Sequence, residues 1–142
     1  MKDEPYVIKL KAIKQTVQGG HYIEAFKALS DLSAPEHDFS LQSRYAILFE
    51  TIPPEALKLK NLRLAVLASS SVEHFNKILK FWLAKKGFLA QIFSSQFNTI
   101  DQTILDQKGP LYEFAPEFVW IFSHYRDVPI PTPFGANLTQ CD

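Results

Sequence analysis

Three consecutive serines, Ser69, Ser70 and Ser71, stand where a short apolar run gives way to a helical pattern. A hydroxyl on a sharp turn between strand and helix can be a nucleophile for acyl transfer when an imidazole lies in reach. Ser70 is the candidate nucleophile and His124 the candidate base. His124 is the imidazole that topology suggests for the same cleft. The serines have two other roles open to them. Ser70 followed by Glu73 has the spacing of a capping box, and Ser71 can cap the same helix alone. Such a cap contributes ~1 kcal/mol, which is reason enough for serine there. The hydroxyls and the helix N-terminus can also bind an anion, such as a phosphate or a carboxylate. Asp127 is near His124 in sequence, but no carboxylate is clearly placed to orient the ring.

The remaining chemistry-bearing residues form no pattern. His21, His37 and His74 lack metal-ligand spacing with another His, Cys or carboxylate. Asp106, Glu113 and Glu117 have no defined mutual geometry, so no acid–base assignment follows. Neither Gly-x-Gly-x-x-Gly nor Gly-x-x-x-x-Gly-Lys-Ser/Thr occurs, so nucleotide-binding loops of those types are absent. No cofactor is expected in this chain. The phenylalanines fall mostly at core periods; among Tyr112, Phe114 and Phe134, exposed rings would make a docking surface.

The elements that must hold the serines begin at Leu62. Leu62 to Leu67 reads as a short apolar strand and Ala68 to Ser71 as a turn. Phe75, Ile78, Leu79 and Trp82 repeat at helical spacing, with Gly87 as the stop. Leu89 to Phe93 reads as a second strand. Ile100, Ile104 and Leu105 suggest a short helix, and Pro110 and Pro116 bracket a loop. Phe118 to Phe122 is apolar throughout and reads as a third strand buried on both faces. Strands alternating with helices imply parallel pairing. A doubly wound sheet then has strand order 2-1-3, with its switch point between the carboxyl ends of strands one and three. That places Ser69, Ser70, Ser71, Ser123, His124 and Tyr125 around one cleft as the ligand-binding set. From Pro129 the chain loses periodicity, and an extended tail is expected. Three strands are few for this architecture. Later strands are therefore expected to be missing, with the chain the front part of a longer protein; the alternative is a compact three-stranded domain whose tail covers the edge at strand three.

Residues 1–60 read as a helical segment, and residues 61–142 as an α/β lobe. Tyr6, Leu10, Ile13 and Val17 mark one helix face, ended by Gly19 and Gly20. Tyr22, Ala25, Phe26, Leu29 and Leu32 mark a second. Leu41, Tyr45, Leu48 and Phe49 mark a third, stopped by Pro53 and Pro54. Gly20 to Leu29 is similar to half of a tetratricopeptide motif, without a second copy, which keeps a helical adaptor among the readings. Lys9, Lys11 and Lys14 lie opposite the apolar side of the first helix, read as a solvated face rather than a lipid contact.

Composition narrows the class. The chain has 142 residues, 46% hydrophobic and 21% charged, as globular domains do. Fifteen basic residues balance fifteen acidic ones, which argues against nucleic acid as an obligate partner. The single cysteine, Cys141, rules out an internal disulfide, and a cytoplasmic setting is expected. No run approaches the ~20 apolar residues that span a bilayer, and no membrane partner is expected.

Leu64 to Ser71, standing before a helix, resembles the N-terminal domain of FkbH-like proteins. So does Ile104 to Val119, where Asp106, Leu111, Tyr112, Phe114 and Pro116 match the family pattern. Gly109 stands where serine is usual and Glu117 where aspartate is usual. The resemblance covers roughly residues 20 to 127. It implies a partial flavodoxin-like or SGNH-hydrolase-like three-layer α/β lobe after a helical segment. In complete members this domain precedes a phosphatase-like domain of the haloacid dehalogenase type. Those proteins load a three-carbon glyceryl unit from a glycolytic bisphosphate onto an acyl carrier protein, in polyketide or polysaccharide biosynthesis. The resemblance thus implies an acyl carrier protein or its phosphopantetheine arm as partner. The phosphatase-like domain needs Asp-x-Asp-x-Thr/Val, which this chain lacks. Against the SGNH motifs, Ala68-Ser69-Ser70 aligns with Gly-Asp-Ser, so only Ser70 matches. Ser123-His124-Tyr125-Arg126 stands where Gly-x-Asn-Asp is usual, and the Asp-x-x-His base would lie beyond residue 142. The expectation is a non-catalytic or incompletely catalytic domain, with an SGNH-type esterase or acyltransferase as the alternative.

Overall fold

Apolar stripes at helical spacing need a partner surface, and here they find one another. The computed structural model describes residues 4–124. Helix α1 (Glu4–Gln18) is followed by α2 (Tyr22–Leu32) and α3 (Phe39–Glu50). Gly20 adopts φ +80°, the left-handed conformation that glycine tolerates best, and its N–H donates to the Val17 carbonyl at 2.9 Å. Asp38 caps α3: its Oδ1 accepts from the Leu41 N–H at 2.8 Å. Pro53 and a short 3-10 turn at Pro54–Leu57 then turn the chain toward the sheet.

The second half alternates strand and helix. Strand β1 (Lys60–Ala68), helix α4 (Glu73–Lys85), strand β2 (Phe88–Ser94), short helices α5 (Ile100–Leu105) and α6 (Pro110–Phe114), and strand β3 (Phe118–Phe122) follow in order. The three strands form one parallel sheet in the order β2-β1-β3, as the alternating pattern predicts. Leu64 of β1 pairs with Ile92 of β2 and with Phe118 of β3. This is a mixed α/β architecture with helices preceding an all-parallel sheet.

Period-two alternation divides β1 between two layers. Ala65 and Leu67 pack with Leu111, Phe93, Ile100 and Ile104 beneath α5 and α6. Leu64, Val66 and Ala68 point to the opposite face, where α4 lies. Helix α4 is buried on two sides, because it packs on β2 and also on α3. Its Phe81 is fully buried, 6.1 Å from the Tyr45 ring and 5.7 Å from Phe49. Phe81 and Ala84 thereby join the core made by Ile13, Val17, Ala25, Leu29 and Tyr45 of the first three helices.

Two local expectations are corrected. The stretch from Pro110 to Pro116 is not a plain loop. Pro110 opens α6, where its fixed φ suits the first helical turn and its missing N–H costs nothing. Strand β3 is not buried on both faces either. All five of its residues are exposed, from 38% at Phe122 to 63% at Phe118. Among the described residues it is an edge strand, paired with β1 alone, and its faces are only partly covered. Phe75 of α4 meets Trp120 at 5.6 Å and Phe122 at 5.3 Å on one face. Val119 lines a shallow cleft with Ile104 and Leu111 on the other.

Candidate functional site

The carboxyl ends of β1 and β3 lie side by side because the register pairs Ala68 with Phe122. Beyond that pair the strands remain stitched. The Ser69 N–H donates to the Phe122 carbonyl at 3.0 Å, and the His124 N–H donates to Ser69 Oγ at 3.2 Å. The topology therefore brings Ser69, Ser123 and His124 together. The bond that joins them uses the His124 main chain. Ser70 and Ser71 follow on the turn, both exposed. Tyr125 and Asp127 lie outside the described residues.

Neither serine caps α4. The helix starts at Glu73, its N-cap position is Val72, and no side chain accepts a hydrogen bond there. The capping box predicted from Ser70 and Glu73 fails because the turn is longer than a box allows. Ser70 precedes the N-cap by two residues, so its hydroxyl is displaced from the first-turn N–H groups. The first turn of α4 thus presents its N–H groups beside two exposed hydroxyls, with Glu73 and His74 exposed at the same end.

The end of β2 adds polar groups that sequence reasoning missed. Asn76, in the first turns of α4, donates through Nδ2 to Ser94 Oγ at 2.6 Å. Its Oδ1 and the Ser95 hydroxyl are buried without a hydrogen-bond partner. Ser94, Ser95, Thr99, Thr103 and Asp106 line a cleft of about 380 Å3 at this end of the sheet. The available signal was a second serine pair directly after a strand, matching the serines after β1. All three strands therefore deliver serines to the carboxyl edge of the sheet, where ligands of open parallel sheets bind. This rim can hydrogen-bond a polar chain or an anion, since hydroxyls donate and accept.

A larger cleft, about 650 Å3, opens between α1, α2 and the chain that precedes α3. His37 stands in its wall. The Ala34 N–H reaches His37 Nδ1 at 3.3 Å and the Tyr45 hydroxyl reaches the same nitrogen at 2.7 Å. An amide N–H can only donate, so Nδ1 is the acceptor in the Ala34 bond. Tyr6 meets the ring edge-on at 4.8 Å. His37 thus has the packed, hydrogen-bonded role of a structural histidine. Among the described residues, no group of three or more His, Cys, Asp or Glu side chains is arranged to hold a metal ion. No helix among them is long and apolar enough to cross a membrane.

These features define a parallel α/β domain with a serine-rich rim at its switch point. Residues 63–127, the span from β1 past β3, match the family model described as FkbH, N-terminal domain. That match supports an FkbH-like N-terminal domain over this segment; an SGNH-hydrolase assignment does not follow from it. No curated protein matches the chain. Among solved structures, the chain is similar to the N-terminal part of the protein BF1531 from Bacteroides fragilis, described as containing a phosphatase domain complexed with Mg. The identity is 16% over 64% of this chain, with a TM-score of 0.53. That likeness is one of fold. This chain spans 23% of the length of that one.

Proposed function

We propose that this chain serves as a non-catalytic or incompletely catalytic N-terminal domain of an FkbH-like protein. Its task is to hold an acyl carrier protein, or the phosphopantetheine arm, at the carboxyl ends of β1 and β3. It would thereby support transfer of a three-carbon, glyceryl-type unit to the carrier. The observation that carries the reading is the coincidence of the family match at residues 63–127 with the elements that build the serine rim. The chemistry is compatible. A pantetheine arm offers amides that serine hydroxyls can pair, and its phosphate suits the uncapped first turn of α4. Phosphoryl chemistry would belong to another part of the protein, because Asp-x-Asp-x-Thr/Val is missing here.

Titration of the nitrogen-15-labelled chain with holo and apo forms of an acyl carrier protein tests the reading. The holo form should perturb the amide resonances of Ser69, Ser70, Ser71, Ser123 and His124 more than the apo form. A response to neither form would sink it, and equal responses to both would assign the contact to the carrier protein rather than to its arm.

A serine esterase or acyltransferase is the second reading. What favours it is the bond that brings His124 to the serine turn while Ser70 stays exposed. A fluorophosphonate probe decides: labelling that disappears in Ser70→Ala supports the enzyme, and no labelling at high probe concentration ends it.

A further inference from the structure

Helices α1 and α3 present matching faces to one groove. Val7, Leu10, Lys11 and Lys14 of α1 fall at i, i+3, i+4 and i+7, and so do Arg44, Ile47, Leu48 and Thr51 on the α3 side. Together they line a groove of about 430 Å3. Leu10 and the buried Leu48 form its floor. Val7 and Ile47, 43% and 58% exposed, form its apolar walls. The charged residues of the lining are Lys11, Lys14 and Arg44, all cationic, with no carboxylate among them. Two of the lysines read from sequence as a merely solvated face therefore border an apolar recess.

We propose that this groove docks an acidic amphipathic helix of a partner protein. A recessed apolar floor between two helices fits a third helix laid along it, with anchors at i, i+3, i+4 and i+7. The cationic rim selects carboxylates flanking that apolar stripe and disfavours a basic helix. A flat lipid surface would reach Val7 and Ile47 but not the floor between them. The inference is independent of the carrier reading, since the groove belongs to α1 and α3 and the ends of β1 and β3 take no part.

The test is fluorescence anisotropy with the full chain and a labelled helical peptide of Ala, Leu and Glu, its leucines at i, i+3, i+4 and i+7. A second peptide has Lys in place of Glu. The acidic peptide should bind, more weakly as salt rises, and the basic one at least about tenfold more weakly. The double variant Lys11→Glu, Lys14→Glu should reverse that preference. Ile47→Asp, at an exposed position and with its fold checked by circular dichroism, should weaken the acidic peptide, because it removes an apolar wall and adds a repelling carboxylate. Equal binding of the two peptides, or binding unchanged in these variants, overturns the proposal. So does saturable binding to phosphatidylserine vesicles without peptide binding, which would assign the groove to lipid. A dimer in sedimentation that Ile47→Asp dissolves would assign it to a second copy. Peptide binding that appears only after removal of residues 125–142 would assign it to the chain's own tail. The peptides carry no phosphopantetheine, so their result and the carrier titration can fail separately.

Discussion

The indole N–H of Trp82 donates a 3.0 Å hydrogen bond to Oε1 of Gln42, joining α4 to α3. Gln42 is buried, and its amide nitrogen donates in turn to the Ala34 carbonyl at 2.8 Å. One side-chain amide therefore ties α3, α4 and the chain between α2 and α3. Lys85 reinforces the same joint. Its ammonium lies 4.2 Å from the centre of the Trp82 ring and donates to Ser33 Oγ at 2.7 Å and to the Ser33 carbonyl at 3.1 Å. These polar bonds border the apolar contact of Phe81 with Tyr45 and Phe49, so they fix one orientation of the helical layer on α4.

Gln42→Leu keeps the volume of this joint but strands two partners. The indole N–H and the Ala34 carbonyl each lose a bond in a partly buried place. A loss of about 1–3 kcal/mol is expected, read as a lower urea midpoint at unchanged slope. A variant as stable as the parent would show that water replaces the amide.

Phe81→Ala should be the most damaging single truncation in α4. The side chain is fully buried between two layers, and such deletions cost about 3–5 kcal/mol. That is a large share of the stability of an ordinary domain, about 5–15 kcal/mol. Thermal unfolding followed by far-ultraviolet circular dichroism checks it. A midpoint shift of only a degree or two would contradict the packing described.

Lys85 gives a prediction with a pH sign. Burial, and then the like charge of Lys86, hold its pKa below the usual 10.5, while Asp31 pulls the other way. In the window between the lowered folded value and 10.5 the unfolded chain binds more protons, so stability rises with pH there. The stability difference between parent and Lys85→Met should move in favour of the parent as pH climbs toward 10.5. A difference that is flat, or that moves the other way, would mean that Lys85 titrates normally. Denaturant titrations of both proteins at several alkaline pH values provide the measurement.

Ser69 and Ser70 should separate cleanly. Ser69→Ala removes the acceptor of the His124 N–H, worth about 0.5–1.5 kcal/mol, and amide exchange at His124 should quicken by roughly three- to tenfold. Ser70→Ala touches no hydrogen bond at that amide and should leave its exchange unchanged. Equal effects of the two variants would mean that the turn moves as a unit.

Strand β3 offers a surface prediction. Ile121 is half exposed on an edge strand, so Ile121→Lys should change stability by less than about 0.5 kcal/mol and reduce self-association in light scattering. A large loss of stability would mean that the strand is covered in solution.

Much of this protein is written locally in its sequence. The four-, three- and four-residue spacings of Tyr6 to Val17 determine α1, because side chains at those intervals share one face. Gly20 and Gly87 determine where helices end, because a left-handed residue without a Cβ costs little. Three apolar runs separated by helical patterns determine a parallel sheet and its order, because parallel strands need crossovers. Other features depend on what each element meets in space. Phe118 to Phe122 is apolar but exposed, since burial is set by neighbouring elements and, among the described residues, β3 has a strand on one side only. Ser70 and Ser71 have the right composition for a cap but stand outside the helix, since capping depends on where the turn ends. Ser94 and Asn76 are eighteen residues apart and bond only because α4 folds back along β2. Lys11, Lys14 and Arg44 share a groove for the same reason: sequence sets each helix face, and only packing sets two faces opposite each other.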